Sequence, residues 1–132
     1  MPKPQSVILL IEEEPTLLQI TAFRLELLGH AVHAVESATA ANAWLADNMP
    51  HLIAVGHVSD IDPVELLNKL SDAPATSVLP LVYISANSDL TEVQRAFNAG
   101  ADEYLVTPYD PSVLEKKIEG LLLAASSASN RD

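Results

Sequence analysis

The chain contains no cysteine. A disulfide framework and thiolate metal sites are therefore excluded, and a reducing, cytoplasmic setting is expected. Positive charge is scarce. Lys and Arg total 7 against 18 Asp and Glu, a formal net charge of −11. A surface of that sign repels phosphate backbones and anionic lipid, so neither nucleic acid nor membrane is an expected partner of this segment. Proteins or cations are. Long apolar runs are missing too. VILLI at 7–11 and LLLAA at 121–125 are far too short to cross a bilayer, and no stretch reads as a secretory leader.

What is present points to one compact domain. The 132 residues are 48% hydrophobic, with no evident internal repeat. VILLI is a continuous apolar run, the pattern of a strand covered on both faces. Pro15 is placed for the first turn of a helix, with Leu17, Ile20, Leu25 and Leu28 as its buried stripe and Gly29 at its end. AVHAV at 31–35 reads as a second strand. Ser37 caps a helix running through Asn48, whose buried stripe is expected at Ala41, Trp44 and Leu45. LIAV at 52–55 is a third strand, and Asp62 and Pro63 open a short helix over 64–70. LPLVYIS at 79–85 brings the fourth strand, and a helix over 91–99 closes at Gly100. EYLV at 103–106 is the fifth strand. Asp110 and Pro111 start a last helix with Leu114, Ile118, Leu121 and Leu122 on one face. From Ser126 the segment SSASNRD is small and polar, so the domain is expected over 1–125 and a linker-like tail over 126–132.

Strict alternation of five strands and five helices predicts an α/β fold: a doubly wound, five-stranded parallel sheet with helices on both faces. Such sheets work at the C-terminal ends of their strands. The residues to follow are therefore Glu12-Glu13-Glu14 after the first strand, Gly56-His57 after the third, Ser85-Ala86 after the fourth and Thr107-Pro108 after the fifth.

With these residues in view, the chain resembles the receiver domain of two-component response regulators, a flavodoxin-like fold. VILLIEEEPTLL, LLGHAV, DAPATSVLPLVYISA and AGADEYLVTPYDP carry the resemblance, which covers about residues 5–124. It implies a site of four parts. An aspartate ending the third strand takes a phosphoryl group. Two acidic residues after the first strand help hold Mg²⁺, which offsets charge on the transferring group. A lysine before proline at the end of the fifth strand binds phosphoryl oxygens. A hydroxyl ending the fourth strand bonds the attached group and drives the switch. Carried onto this sequence, the acidic pair falls on Glu12 and Glu13, the hydroxyl on Ser85 and the switching aromatic on Tyr104. The nucleophile position falls on Gly56 and the lysine position on Thr107. The loop after Gly56 is one residue shorter than the family pattern, and the turn at Thr107-Pro108 is implied to hold a cis peptide.

Glycine offers no nucleophile, and unlike glutamate it cannot imitate a phosphorylated side chain. Losing the lysine with the aspartate avoids leaving one charge of a buried pair uncompensated, which costs roughly 3–5 kcal/mol. The expected function is thus an atypical, pseudo-receiver module, not an enzyme, signalling by protein contact without phosphorylation. Two alternatives stand beside it: a small-ligand or cation sensor at the vacated pocket, and a phosphotransfer receiver using a displaced acid, Asp60 or Asp62. Glu12 and Glu13 hold Mg²⁺ or another divalent cation weakly at best; the bland expectation is a solvated acidic helix entrance. No cofactor is expected, and three carboxylates are the wrong lining for a phosphate-binding loop. Asp62 is better explained as a cap, His57 as an ordinary loop histidine and Ser85 as a locally bonded rim hydroxyl. A strand-end glycine also marks close backbone approach in its own right. A protein partner or homodimer is expected on the face made by the fourth helix, fifth strand and fifth helix, with Arg95, Asn98, Tyr104, Lys116 and Lys117. Tyr104 has the alternative of a half-buried packing residue with its hydroxyl in water. Phe23 and Leu27, off the main stripe of the first helix, are a second candidate patch.

Overall fold

The computed structural model describes residues 6–129. Its elements run β1 (Val7–Ile11), α1 (Pro15–Leu27), β2 (Ala31–Val35), α2 (Ala38–Leu45), β3 (Leu52–Val55), α3 (Pro63–Asp72), β4 (Leu81–Ser85), α4 (Leu90–Asn98), β5 (Glu103–Val106) and α5 (Pro111–Ser129). The five strands form one parallel sheet in the order β2-β1-β3-β4-β5. That is the doubly wound architecture expected from the alternation. α5 continues to Ser129, into the stretch read as a tail, and residues 130–132 lie outside the described residues.

Period-2 alternation in the strands splits the core in two. Leu9, Ile11, Ile53, Val55, Leu81, Tyr83 and Tyr104 face α2, α3 and α4. Ile8, Leu10, Leu52, Ala54, Val82, Ile84 and Leu105 face the other way, where Leu25 of α1 and Leu114 and Ile118 of α5 close over them. Both faces of β1 and β3 are buried, which is why their sequences are unbroken apolar runs.

Helix starts are set by side-chain caps. Glu14 accepts from the amides of Thr16 and Leu17, and Pro15 follows at the first helical position. Ser37 caps α2, Asp62 caps α3 ahead of Pro63, and Asp89 caps α4. Asp110 accepts from the amide and the hydroxyl of Ser112 at the start of α5. Gly29 and Gly100 sit at φ 96° and 116° after α1 and α4, the left-handed conformation a helix exit favours.

Two expected stripes shift. On α1 the core face is Leu18, Thr21, Ala22, Leu25 and Leu28, and Ile20 is 50% exposed. Leu25 and Leu28 are shared by both patterns; apolar residues on several sides of the helix leave the choice to the sheet beneath it. On α2, Ala38 and Ala41 are buried while Trp44 and Leu45 are only partly covered. Trp44 stacks on His33 of the edge strand β2, with ring centroids 4.7 Å apart.

Candidate functional site at the C-terminal rim of the sheet

The strand order reverses around β1, so a crevice opens beyond the ends of β1 and β3. The ladder runs one step past both strands. The Gly56 amide donates to the Ile11 carbonyl at 2.7 Å, and the Glu13 amide donates to the His57 carbonyl at 2.9 Å. Glu12, Glu13, His57, Ser85 and Thr107 are thereby brought to one hollow of about 620 Å³, together with Tyr83, Ile84, Ala86, Asn87, Glu14, Pro15 and Leu17.

Gly56 is buried. Its backbone is not in the left-handed region, since the positive-φ glycines are Gly29 and Gly100. Glycine leaves room here for the close approach of the Glu12 carboxylate. A Cβ on residue 56 would fall inside the envelope of Glu12 Oε1, with Glu12 Cδ and the Ile11 carbonyl oxygen each 3.0 Å away.

Glu12 is the main correction to the sequence reading. It is 3% exposed, not a solvated carboxylate at a helix entrance. Its Oε1 accepts from the His57 amide at 3.0 Å and its Oε2 from the Glu14 amide at 2.9 Å. Burying a carboxylate is costly unless hydrogen bonds to the charged form compensate, and these two do. The exposed cap is Glu14. Glu13 is occupied as well: its Oε1 accepts from the Ser59 amide at 2.9 Å and from the Ser59 hydroxyl, and its Oε2 lies 3.4 Å from His57 Nε2. Among the described residues no group of three or more His, Cys, Asp and Glu side chains is arranged to hold a metal ion.

Neither displaced acid reaches the crevice. Asp60 turns to the start of α2, accepting from the amides of Ala38 and Thr39 and from the Thr39 hydroxyl. Those bonds, the Thr39 amide first and then the Ala38 amide, hold its carboxyl below the usual aspartate value. Asp62 caps α3 through the Val64 amide and pairs with Arg95 at 3.4 Å.

On the β4–β5 side, Ser85 Oγ accepts from the Asn87 amide at 3.1 Å, a local bond. Thr107 donates its amide to the Ser85 carbonyl, and the Thr107–Pro108 peptide is cis. Tyr104 is 9% exposed, and its hydroxyl donates to the Asn87 carbonyl instead of standing in water. Its ring meets Tyr83 edge-on, centroids 5.2 Å apart. The Tyr83 hydroxyl donates to Glu92, and burial above all pushes its pKa up to about 12.

The expected interface residues separate. Arg95 bonds Glu92 at 2.8 Å and Asp62 at 3.4 Å, and Asn98 lies with it in a hollow shared with Val64, Glu65 and Asn68 of α3. Both belong to the α3–α4 groove. Lys117 reaches back to Glu103 of β5 at 2.6 Å, and Lys116 is exposed.

Comparison with known proteins agrees with this architecture. The family described as the response regulator receiver domain matches residues 8–119. The chain belongs to that family, and so to a two-component-type signalling module and not to a class of enzymes. It is 29% identical over 126 residues to the transcriptional regulatory protein CseB of Streptomyces avermitilis, a match covering 95% of this chain and 52% of that protein. It is 27% identical over 124 residues to a chemotaxis protein CheY homolog of Campylobacter jejuni, covering 87% of this chain and 91% of that one. The chain therefore spans about half the length of the transcriptional regulators it matches. Among solved structures, the receiver domain of a signal transduction histidine kinase from Syntrophus aciditrophicus superposes with a TM-score of 0.84 at 26% identity, over 96% of this chain and 94% of that one. A CheY-like receiver from Methanospirillum hungatei gives 0.84 at 24% identity, over 92% and 97%. No helix among the described residues is long and apolar enough to cross a membrane.

Proposed function

We propose that this receiver signals by protein contact and takes no phosphoryl group. The observation that carries the reading is the end of β3, where Gly56 offers no nucleophile and the Glu12 carboxylate fills the space a side chain would take. Thr107 at the end of β5 supplies no positive charge for phosphoryl oxygens, and Asp60 and Asp62 are committed to helix caps. A displaced-acid phosphotransfer mechanism has no support in this arrangement. The test is incubation with acetyl phosphate, and separately with beryllofluoride, in the presence of Mg²⁺. Intact-mass and amide NMR spectra are expected to stay unchanged. A phosphorylated chain or an adduct seated at the hollow refutes the reading.

The partner surface is the face of α4, β5 and α5, taken by a protein partner or a second copy. Arg95 points to α3, and Phe97 lies about 200° further round α4, toward β5 and α5. Leu90 shares its side at i, i+7, and both are exposed, 69% and 44%. Val106, on the same side of β5 as Tyr104, and Val113, one turn before Lys117, extend the apolar face beside the Lys117–Glu103 pair. The face thus consists of Leu90, Phe97, Val106 and Val113 with Lys117. Arg95 and Asn98 stand apart from it. Sedimentation of the chain with and without Phe97→Glu checks the homodimer form of this proposal: the variant is expected to sediment as a monomer at concentrations where the parent associates.

A second reading is favoured by the hollow itself, whose volume of about 620 Å³ would accommodate a small ligand or cation. A thermal-shift panel of metabolites and divalent cations tests it, and no shift with any of them removes it. Both readings suit a cytoplasmic protein.

A further inference from the structure

We infer that Glu12 is an internal cork: the rim is held in one arrangement, without a phosphoryl group, by a carboxylate of the chain itself, matched to the glycine at 56. The inference deepens the reading proposed above and rests on it for its functional meaning. The geometry is specific. Glu12 is nearly sealed from solvent, and among the described residues it has no lysine or arginine partner; backbone amides compensate it instead. One oxygen grips the His57 amide in the β3–α3 loop, and the other grips the Glu14 amide at the entrance to α1. A single side chain thereby ties together the two loops that flank the crevice. It fits because residue 56 has no Cβ to collide with it. Glu12 and Gly56 are one unit: a side chain at 56 evicts the carboxylate and frees the His57 and Glu14 amides, leaving Glu13 and Ser59 as the remaining side-chain link between the two loops.

The test is a double-mutant cycle on the 132-residue chain with Gly56→Ala, Glu12→Ala and the pair. Each single variant is expected to lower the melting temperature by about 5 °C. The pair is expected to lose no more than either single, because the alanine methyl then meets only the Ile11 carbonyl, at a tight but tolerable 3.0 Å. Amide hydrogen exchange gives a second readout. The His57 and Glu14 amides are expected to exchange at least about tenfold faster in all three variants, while the amides of β1 and β3 keep the parent's protection. Additive losses overturn the inference, as do unchanged His57 and Glu14 protection in Gly56→Ala, or loss of that protection in the parent on adding millimolar Mg²⁺. Should Gly56→Ala fail to fold, the pair must fold, since its cork is gone; failure of both also overturns it. A phosphorylated or beryllofluoride-bound chain sinks the phosphorylation-independent reading without touching the cycle. An additive cycle sinks the cork and leaves that reading standing.

Discussion

The rim has two halves, and they differ in kind. On the β1–β3 side the groups that a receiver uses for chemistry are gone or turned inward: Gly56 carries no side chain, and Glu12 is spent on backbone amides. On the β4–β5 side Thr107 likewise brings no charge, but hydroxyls line the rim. Ser85 keeps its hydroxyl, and Tyr104 is packed against Tyr83 with its own hydroxyl on the Asn87 carbonyl. One half is a joint of backbone amides and glutamates, and the other is a packed pair of tyrosines beside a rim hydroxyl. The core that holds the sheet together is built from residues other than those at the rim, so the rim can vary without collapsing the domain.

The comparison breaks most visibly at Tyr104. Tyr104→Ala removes a buried ring from the core shared by α4 and β5 and is expected to cost about 3 kcal/mol in urea unfolding. Tyr104→Phe keeps the ring and deletes only the bond to Asn87, so about 1 kcal/mol is expected, with faster amide exchange in the 86–89 loop. If the phenylalanine variant is unchanged in both measurements, the hydroxyl does not hold that loop, and the β4–β5 half is packing alone.

Glu12→Gln probes the other half more gently. The amide keeps one acceptor for His57 but turns an NH₂ toward the Glu14 amide or leaves it unpaired. A loss of about 1–2 kcal/mol is expected by urea unfolding, between the two Tyr104 variants. A neutral result would mean that solvent already serves these amides, and the contrast between the halves would shrink to the missing side chain at Gly56.

Much of the fold was legible because strand periodicity and capping are local. VILLI and LIAV declare buried strands, and Asp62-Pro63 and Asp110-Pro111 declare helix starts from adjacent residues. The positions of Gly56 and Thr107 followed once the strands were counted. The burial of Glu12 did not. Three consecutive glutamates look alike, and the one that turns inward meets a backbone amide and a glycine more than forty positions away. Asp60 was missed for a similar reason: it caps α2 from a distant loop, where no local pattern predicts it. Arg95 and Asn98 were readable in principle. Spaced i, i+3 beside the core residue Ala96, they share one flank of α4, and the acidic cap at Asp62 marks which neighbour that flank meets.

The smallest expected effect concerns a further anchor of the β3–α3 loop. Glu12 holds this loop at His57, and Asp60 holds it a few residues later by bonding the first amides of α2. Because those amides lower the Asp60 carboxyl below its ordinary 3.8, their contribution to stability is fully present above that value and is lost as the pH falls through the folded one. Asp110 titrates in the same direction, owing to the Ser112 amide and hydroxyl. The urea midpoint is therefore expected to fall on acidification from about pH 5 to about pH 3, with the Ala38 and Thr39 amides losing protection in step. Asp60→Asn should give a shallower acid limb and a slightly lower midpoint at neutral pH, because the group is exposed and solvent screens it. If the variant instead keeps the parent's slope and its α2 amides stay protected, Asp60 is dispensable and the loop hangs on Glu12 and Glu13. The β1–β3 half would then rest on the two glutamates that follow β1.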